Sequence, residues 1–192
     1  MKKKQLLCSL LFTSLALFIP ANTLVAKNVC DTIALKHDSM TVGNPILPGF
    51  HADPEILYSN KTGKYYIYST TDGIPGWGGY KYYVYSSADL KTWKNEGVAL
   101  DASTDQISWA NGNLWAPAAI EVKQKNGSYK YYLYFSARPN DNGRKQMGVA
   151  VSDSPTGPFV DLGKPLLAKN HPGCHGQLID VDVFIDPVSN KP

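Results

Sequence analysis

A chain of 192 residues with 19 lysines and arginines against 16 acidic residues carries a formal charge of +3, but the excess is local. Lys2, Lys3 and Lys4 supply it, and without them 16 basic residues face 16 acidic ones. A chain neutral over nearly all its length excludes the basic surface that nucleic acid or an anionic membrane would call for.

Met1 to Lys4 is basic, Leu6 to Pro20 is almost wholly apolar, and Ala21 to Ala26 is small or short. That order is the layout of a secretory signal peptide over residues 1–26, cleaved near Ala26 and too short and wrongly flanked for a membrane span. A short uncleaved anchor is the other reading. Cys8 falls inside the leader and is discarded with it. The expected location is periplasmic or extracellular, with no membrane contact after cleavage. Residues 27–43 read as a polar lead-in. Cys30 and Cys174 remain; an exporting compartment lets them pair, and two free thiols fit equally, because spacing does not decide.

The segment Asn44-Pro45-Ile46-Leu47-Pro48-Gly49-Phe50-His51-Ala52-Asp53-Pro54-Glu55-Ile56 comes next. Asp53 precedes a proline, whose ring disfavours a helical predecessor, so the carboxylate is expected on an extended, stiff backbone. Strands are expected over Lys64 to Ser69, Tyr82 to Ser86 and Tyr131 to Phe135, where Tyr, Val and Ile cluster between Gly, Asn, Asp, Ser and Pro. No segment has a long amphipathic helical period. The tyrosine stripes are expected to pack the sheets with hydroxyls reaching solvent.

A repeat organises these elements. Asp53 to Tyr58, a turn and Lys64 to Tyr68 resemble Ala116 to Glu121, a turn and Lys130 to Tyr134. A third strand follows in each, ending Ser86 to Asp89 or Val151 to Ser154, and then a segment headed by Trp93 or Phe159. Lys64 to Lys130 and Trp93 to Phe159 are both offsets of 66 residues. Asp180 to Ile185 opens a third copy, with Ser189 to Lys191 matching Thr62 to Lys64 at an offset of 127. Four short strands at a fixed period read as β-propeller blades; a sandwich is the other all-β architecture and does not need the same grammar three times. First strands line a propeller's axis, so Asp53, Pro117 and Asp180 are expected at equivalent places around one funnel.

Phe50 to Ile56, Trp115-Ala116-Pro117 and Ile179 to Asp186, together with Ser86 to Trp93 and Ser154 to Phe159, resemble glycoside hydrolase family 43. The resemblance runs from Asn44 to Pro192. It implies a five-bladed propeller that hydrolyses arabinofuranosyl or xylosyl linkages of plant polysaccharides with inversion. Inversion needs a base that activates water and an acid that protonates the leaving oxygen, their carboxyls roughly 6.5–9.5 Å apart. By motif, Asp53 corresponds to the general base, and Asp180 to the carboxylate that raises and orients the acid. Asp180 and Asp182 share a face in simple alternation, so spacing does not choose between them; the family pattern selects Asp180. Asp186 reads as structural.

Trp115 serves as a sugar-facing wall, as core, or as both. Trp77, in the Gly-rich run 73–80, stacks on a sugar or belongs to an ordinary long loop. His51, beside the base, is expected to hydrogen-bond in the pocket. His171 and His175 lie in a Gly/Pro-rich loop without metal-ligand spacing, and no cofactor or metal is expected. The structural calcium common in the family has no identifiable ligands here. From Asn44 the chain holds 149 residues, little over two repeats, against the five blades implied. Residues 44–192 are therefore expected to be the N-terminal part of a longer domain, inactive alone, with the general-acid glutamate in a later blade. A non-catalytic glycan-binding propeller is the alternative. A sialidase-like propeller needs an arginine cluster, and only Arg138 and Arg144 occur.

Overall fold

A computed structural model describes residues 44–189 and 191–192. The leader, the lead-in, Cys8 and Cys30 lie outside the described residues, and with them the pairing of Cys30 with Cys174.

Eight strands form two antiparallel sheets, each in simple meander order. The first contains β1 (His51–Ser59), β2 (Lys64–Thr71), β3 (Lys81–Ser87) and β4 (Lys94–Asp101). The second contains β5 (Trp115–Lys123), β6 (Tyr129–Ala137), β7 (Gln146–Ser152) and the short β8 (Val160–Asp161). One 3-10 turn, Pro75–Trp77, interrupts the β2–β3 loop. Each sheet is one blade, and β5 packs beside β1 and β2, so the two first strands lie next to each other.

Alternation explains the packing. Tyr66 and Tyr68 of β2, with Tyr82 and Val84 of β3, face the second sheet and meet Tyr131, Leu133, Phe135 and Phe159 in one core. The intervening residues Tyr65, Ile67, Tyr83 and Tyr85 face the other way, onto Leu47 and Trp93. Burying each large side chain contributes about 1.5–3 kcal/mol. Phe159, wholly buried and edge-on to Tyr68 at 6.2 Å between ring centroids, is a keystone whose replacement by Ala costs about 3–5 kcal/mol.

Buried tyrosine hydroxyls find partners inside the protein, contrary to the expectation that they reach solvent. Tyr68 donates to the Pro155 carbonyl at 2.5 Å and Tyr82 to the Trp115 carbonyl at 2.8 Å. A buried hydroxyl left unpaired costs more than the bond returns, so each is aimed at a carbonyl of the neighbouring blade.

The blade-closing phrase Ser86 to Trp93 also has a local cause. The Asp89 carboxylate accepts from the amides of Lys91 and Thr92, both at 2.8 Å, and the Leu90 amide donates to Ser87 Oγ at 2.8 Å. Those bonds turn the chain from β3 into β4.

Two expectations about the first strands are corrected. Asp53 is not extended: its φ is 47°, and the β1–β2 register slips between Ala52 and Glu55. An equivalent slip lies between Trp115 and Ala118 in β5, where Ala116 has φ 36°. Both are β-bulges whose second residue, Pro54 or Pro117, has no amide to contribute to a ladder. The residue equivalent to Asp53 is therefore Ala116, not Pro117. Asp180 repeats the conformation with φ 60°.

The third copy is only partly formed. Residues 180–185 have no strand partner among the described residues and make no ladder. The turn beyond them does close: the Asp186 amide donates to the Lys191 carbonyl at 2.8 Å, matching the Ser59–Lys64 pair of blade one at the offset of 127. Asp186 supports that turn, accepting from the Val188 amide and the Ser189 hydroxyl.

Candidate active site

A cavity of about 480 Å³ opens at the bulged ends of the first strands, lined by Ala52, Asp53, Thr70, Asp72, Trp77, Trp115, Ile179 and Asp180. Asp53 and Asp180, 127 residues apart, both reach it from positive-φ positions. At Asp53 the bulge is the reason. In regular alternation successive side chains point to opposite faces; the looped-out residue turns its side chain toward the strand end. At the third copy the positive φ falls on Asp180 and not on Asp182. Asp182 does not line the cavity; its charge acts on Glu55 of β1.

Asp53 is held from one side. Thr70, at the end of β2 and 3% exposed, donates from Oγ1 to Asp53 Oδ2 at 3.3 Å. Thr70 Oγ1 in turn accepts from the Ala116 amide at 2.9 Å. Beneath the carboxylate, burial and then the charge of Asp53 push the Tyr82 hydroxyl far above its ordinary range, so it stays protonated and donates to Trp115.

The two tryptophans are joined. Trp115 Nε1 donates to the Trp77 carbonyl at 2.7 Å, and Asn113 Nδ2 donates to the same oxygen at 2.9 Å. That clamp fixes the loop and leaves Trp77 78% exposed at the rim. Gly79 lets the loop return close to β2, since a Cβ there would stand 2.7 Å from the Thr71 carbonyl. Behind the other wall, Lys145 Nζ sits 3.4 Å from the centroid of the Trp115 ring. Burial, with Arg138 nearby, lowers the pKa of that ammonium. Its backbone is tied to the segment leading to Asp180: the Lys145 amide donates to Gln177 Oε1 at 2.6 Å and its carbonyl accepts from the Leu178 amide at 3.2 Å.

His51 lies apart from the cavity lining. Nε2–H donates to the Pro48 carbonyl at 2.9 Å, leaving Nδ1 to accept from Ser69 Oγ at 3.1 Å, and the ring stands edge-on to Tyr85. Both nitrogens are occupied in holding residues 48–51 against β2, so the expected hydrogen bond in the pocket gives way to a structural one. His171 pairs with the Pro172 carbonyl and approaches Cys174 Sγ at 3.7 Å. Among the described residues no three His, Cys, Asp or Glu side chains gather as a metal site.

Thr70, Asp72 and Ile179 were not singled out by sequence. Thr70 and Asp72 carried a signal in retrospect, since they stand at the end of β2, the strand paired to the one that bears Asp53. None of the three glutamates reaches the cavity. Glu96 pairs with Lys94 at the outer edge. Glu55 has its pKa raised by burial, against a bond from the Ala119 amide and with the charge of Asp182 adding to the rise. Glu121 lies at the opposite end of the blade, taking hydrogen bonds from Ser59, Tyr131 and Asn60.

The sequence profile of glycosyl hydrolases family 43 matches residues 42–191. An arabinoxylan arabinofuranohydrolase of Bacillus subtilis is 35% identical over 162 residues, covering 70% of this chain and 29% of the relative. A xylosidase/arabinosidase of Bacteroides ovatus is 36% identical over 133 residues, covering 63% of this chain and 38% of the relative. Among solved structures, a thermostable family-43 glycoside hydrolase superposes with a TM-score of 0.60 at 31% identity, over 77% of this chain and 42% of the other. The chain thus spans well under half the length of these proteins.

Proposed function

The chain belongs to family 43 of the glycosyl hydrolases, and from that premise we propose that it supplies the base side of an inverting glycosidase acting on arabinose- or xylose-containing plant polysaccharide. One observation carries the reading. Two carboxylates at equivalent positive-φ positions, 127 residues apart, meet in a single cavity walled by two tryptophans.

Asp53 acts as general base, drawing a proton from water as that water attacks the anomeric carbon. Asp180 faces the same space and disfavours ionisation of a neighbouring acid, because two close negative charges repel. The carboxylates Asp53, Asp72 and Asp180 favour the positive charge that develops on the sugar ring in an oxocarbenium-like transition state. Trp115 and Trp77 offer apolar faces to the sugar's C–H surface. With the glutamates committed elsewhere, the proton for the leaving oxygen comes from a carboxyl outside residues 44–192. The names of the two curated relatives support arabinosyl and xylosyl groups as the substrate class. The leader at residues 1–26 supports export, which brings the enzyme to a polymer that does not enter cells.

The test is turnover and stereochemistry in the whole protein. Arabinose or xylose released from arabinoxylan should appear first as the inverted anomer by proton NMR. Asp53→Asn, which removes proton acceptance at little change in volume, should lower kcat by about 10²–10⁴-fold. Wild-type turnover in Asp53→Asn sinks the assignment of the base. Binding without hydrolysis by the wild-type protein identifies a glycan-binding propeller instead.

A further inference from the structure

We propose that Thr70 is the positioning residue of the base, using an amide of the second blade as its anchor to aim Asp53. The proposal rests on the reading of Asp53 given above and deepens it.

The second bulge supplies the anchor. Between Trp115 and Ala118 the β5–β6 ladder slips, and Pro117 has no N–H. The Ala116 amide is therefore a donor that the bulge itself turns out of the regular ladder. It is captured by Thr70 Oγ1 at 2.9 Å, from the neighbouring blade. An amide can only donate, so the threonine oxygen is the acceptor in this bond. A hydroxyl has a single proton, and here it is spent on Asp53 Oδ2. The order Ala116 N–H to Thr70 O–H to Asp53 is thus directional, and reversing it would leave the amide unpaired.

Rigidity follows from burial and backbone. Thr70 is 3% exposed, and Ala52↔Thr70 is the last β1–β2 pair before the bulge. Its β-branched side chain has restricted χ1 freedom, so the hydroxyl is presented from a stiff support. Asp53, by contrast, is solvent-exposed and looped out of its strand. A base in that setting needs an external guide for its carboxylate plane, and Thr70 is the hydroxyl that reaches it.

Blade two provides an internal control. The β2–β6 offset of 66 brings Thr70 onto Ser136, paired to Trp115 as Thr70 is paired to Ala52. Ser136 is wholly buried, and its Oγ has no hydrogen-bond partner among the described residues. The bulge of its own blade carries Ala116, with no carboxylate to orient. A hydroxyl thus recurs at this position, and it is engaged where a catalytic carboxylate stands beside it.

The test uses the whole protein with Thr70→Val, Thr70→Ser, Asp53→Asn and the Thr70→Val/Asp53→Asn double variant, assayed on an activated aryl arabinoside or xyloside. Misaiming the base without touching the sugar should lower kcat by about 10- to 100-fold in Thr70→Val and leave KM unchanged. Thr70→Ser, which keeps the hydroxyl, should restore most of the rate. In the Asp53→Asn background Thr70→Val should cost nothing further, since Thr70 acts only through that carboxylate. Wild-type kcat in Thr70→Val overturns the proposal, as does an additive loss in the double variant. Failure of Thr70→Ser to recover beyond Thr70→Val overturns it too. Should Thr70→Val not fold, Thr70→Ala takes its place in every arm. Asp53→Asn at wild-type rate would instead overturn the reading of the base, a different outcome from any of these.

Discussion

Blades one and two are built alike and used differently. Each has a first strand with a bulge two residues before its regular pairing resumes, a proline in that bulge and a non-glycine residue at positive φ. In blade one that residue is Asp53; in blade two it is Ala116. At the far end of the same strands the roles are exchanged. Glu121 of β5 takes hydrogen bonds from Ser59, Asn60 and Lys61 of the β1–β2 turn, while the matching place in β1 is held by Tyr58. The bulge belongs to the shared scaffold, and what differs between the blades is the side chain placed in it. The two blades also separate an exposed, lightly bonded carboxylate available for reaction from one saturated with bonds and spent on joining blades.

The strongest way to break this comparison is to exchange the bulge residues. In the whole protein, Asp53→Ala combined with Ala116→Asp keeps both bulges and the net charge but moves the carboxylate one blade on. Turnover should fall by about 10²–10⁴-fold and not recover over Asp53→Ala alone. Substantial activity in the exchanged protein would mean that bulge geometry alone suffices.

Removing the far clamp comes next. Burial pushes Glu121 up, but bonds from Ser59, Tyr131 and Asn60 outweigh it and hold the carboxyl below its usual 4.5. A depressed carboxylate contributes stability above that value and loses it as pH falls through the folded value. Glu121→Ala should cost about 2 kcal/mol at neutral pH, the scale of hydrogen bonds to a charged group. The difference from wild type in urea melts should shrink at acid pH. An equal cost at pH 7 and at pH 3 would rule out the charged clamp.

Strain in the empty bulge is a smaller effect. Ala116 is held at φ 36° with no carboxylate to show for it. Ala116→Gly relieves the left-handed penalty and gives back part of it as unfolded-chain entropy, a net gain of about 0.5–1 kcal/mol. A lowered melting temperature would show that the Ala116 methyl contributes more than its strain costs.

Smallest is the half-buried carboxyl Glu55, raised by burial and by Asp182 against the Ala119 amide bond. A raised carboxyl favours the fold while protonated and loses that contribution as pH rises through its folded value. Glu55→Gln should therefore raise the melting temperature slightly at pH 7 and not at pH 4. The opposite pH trend would contradict the cause assigned here.

Much of the fold was legible in order of residues. Alternating tyrosines and branched residues between turn formers marked β2, β3 and β6, and the offset of 66 made them blades. The offset of 127 held to the Asp186–Lys191 turn. The bulges were not legible. Asp-Pro predicts an extended aspartate from local sterics, yet the observed φ is positive, because the ladder on both sides fixes where the extra residue must go. His51 looked like a pocket residue by adjacency, but a bulge separates neighbours in sequence by face, and its ring turned to Pro48 and Ser69.

By itself, then, the sequence determined the all-β blades, their period, the family and the two carboxylates worth watching. These rest on local propensity and on patterns that repeat along the chain. Tertiary structure alone decided that Asp53 is equivalent to Ala116, that Thr70 and Asp72 join the cavity lining, and that Thr70 links an amide of one blade to the Asp53 carboxylate of another. Those relations depend on ladder register and on contacts between blades, and no local preference encodes either.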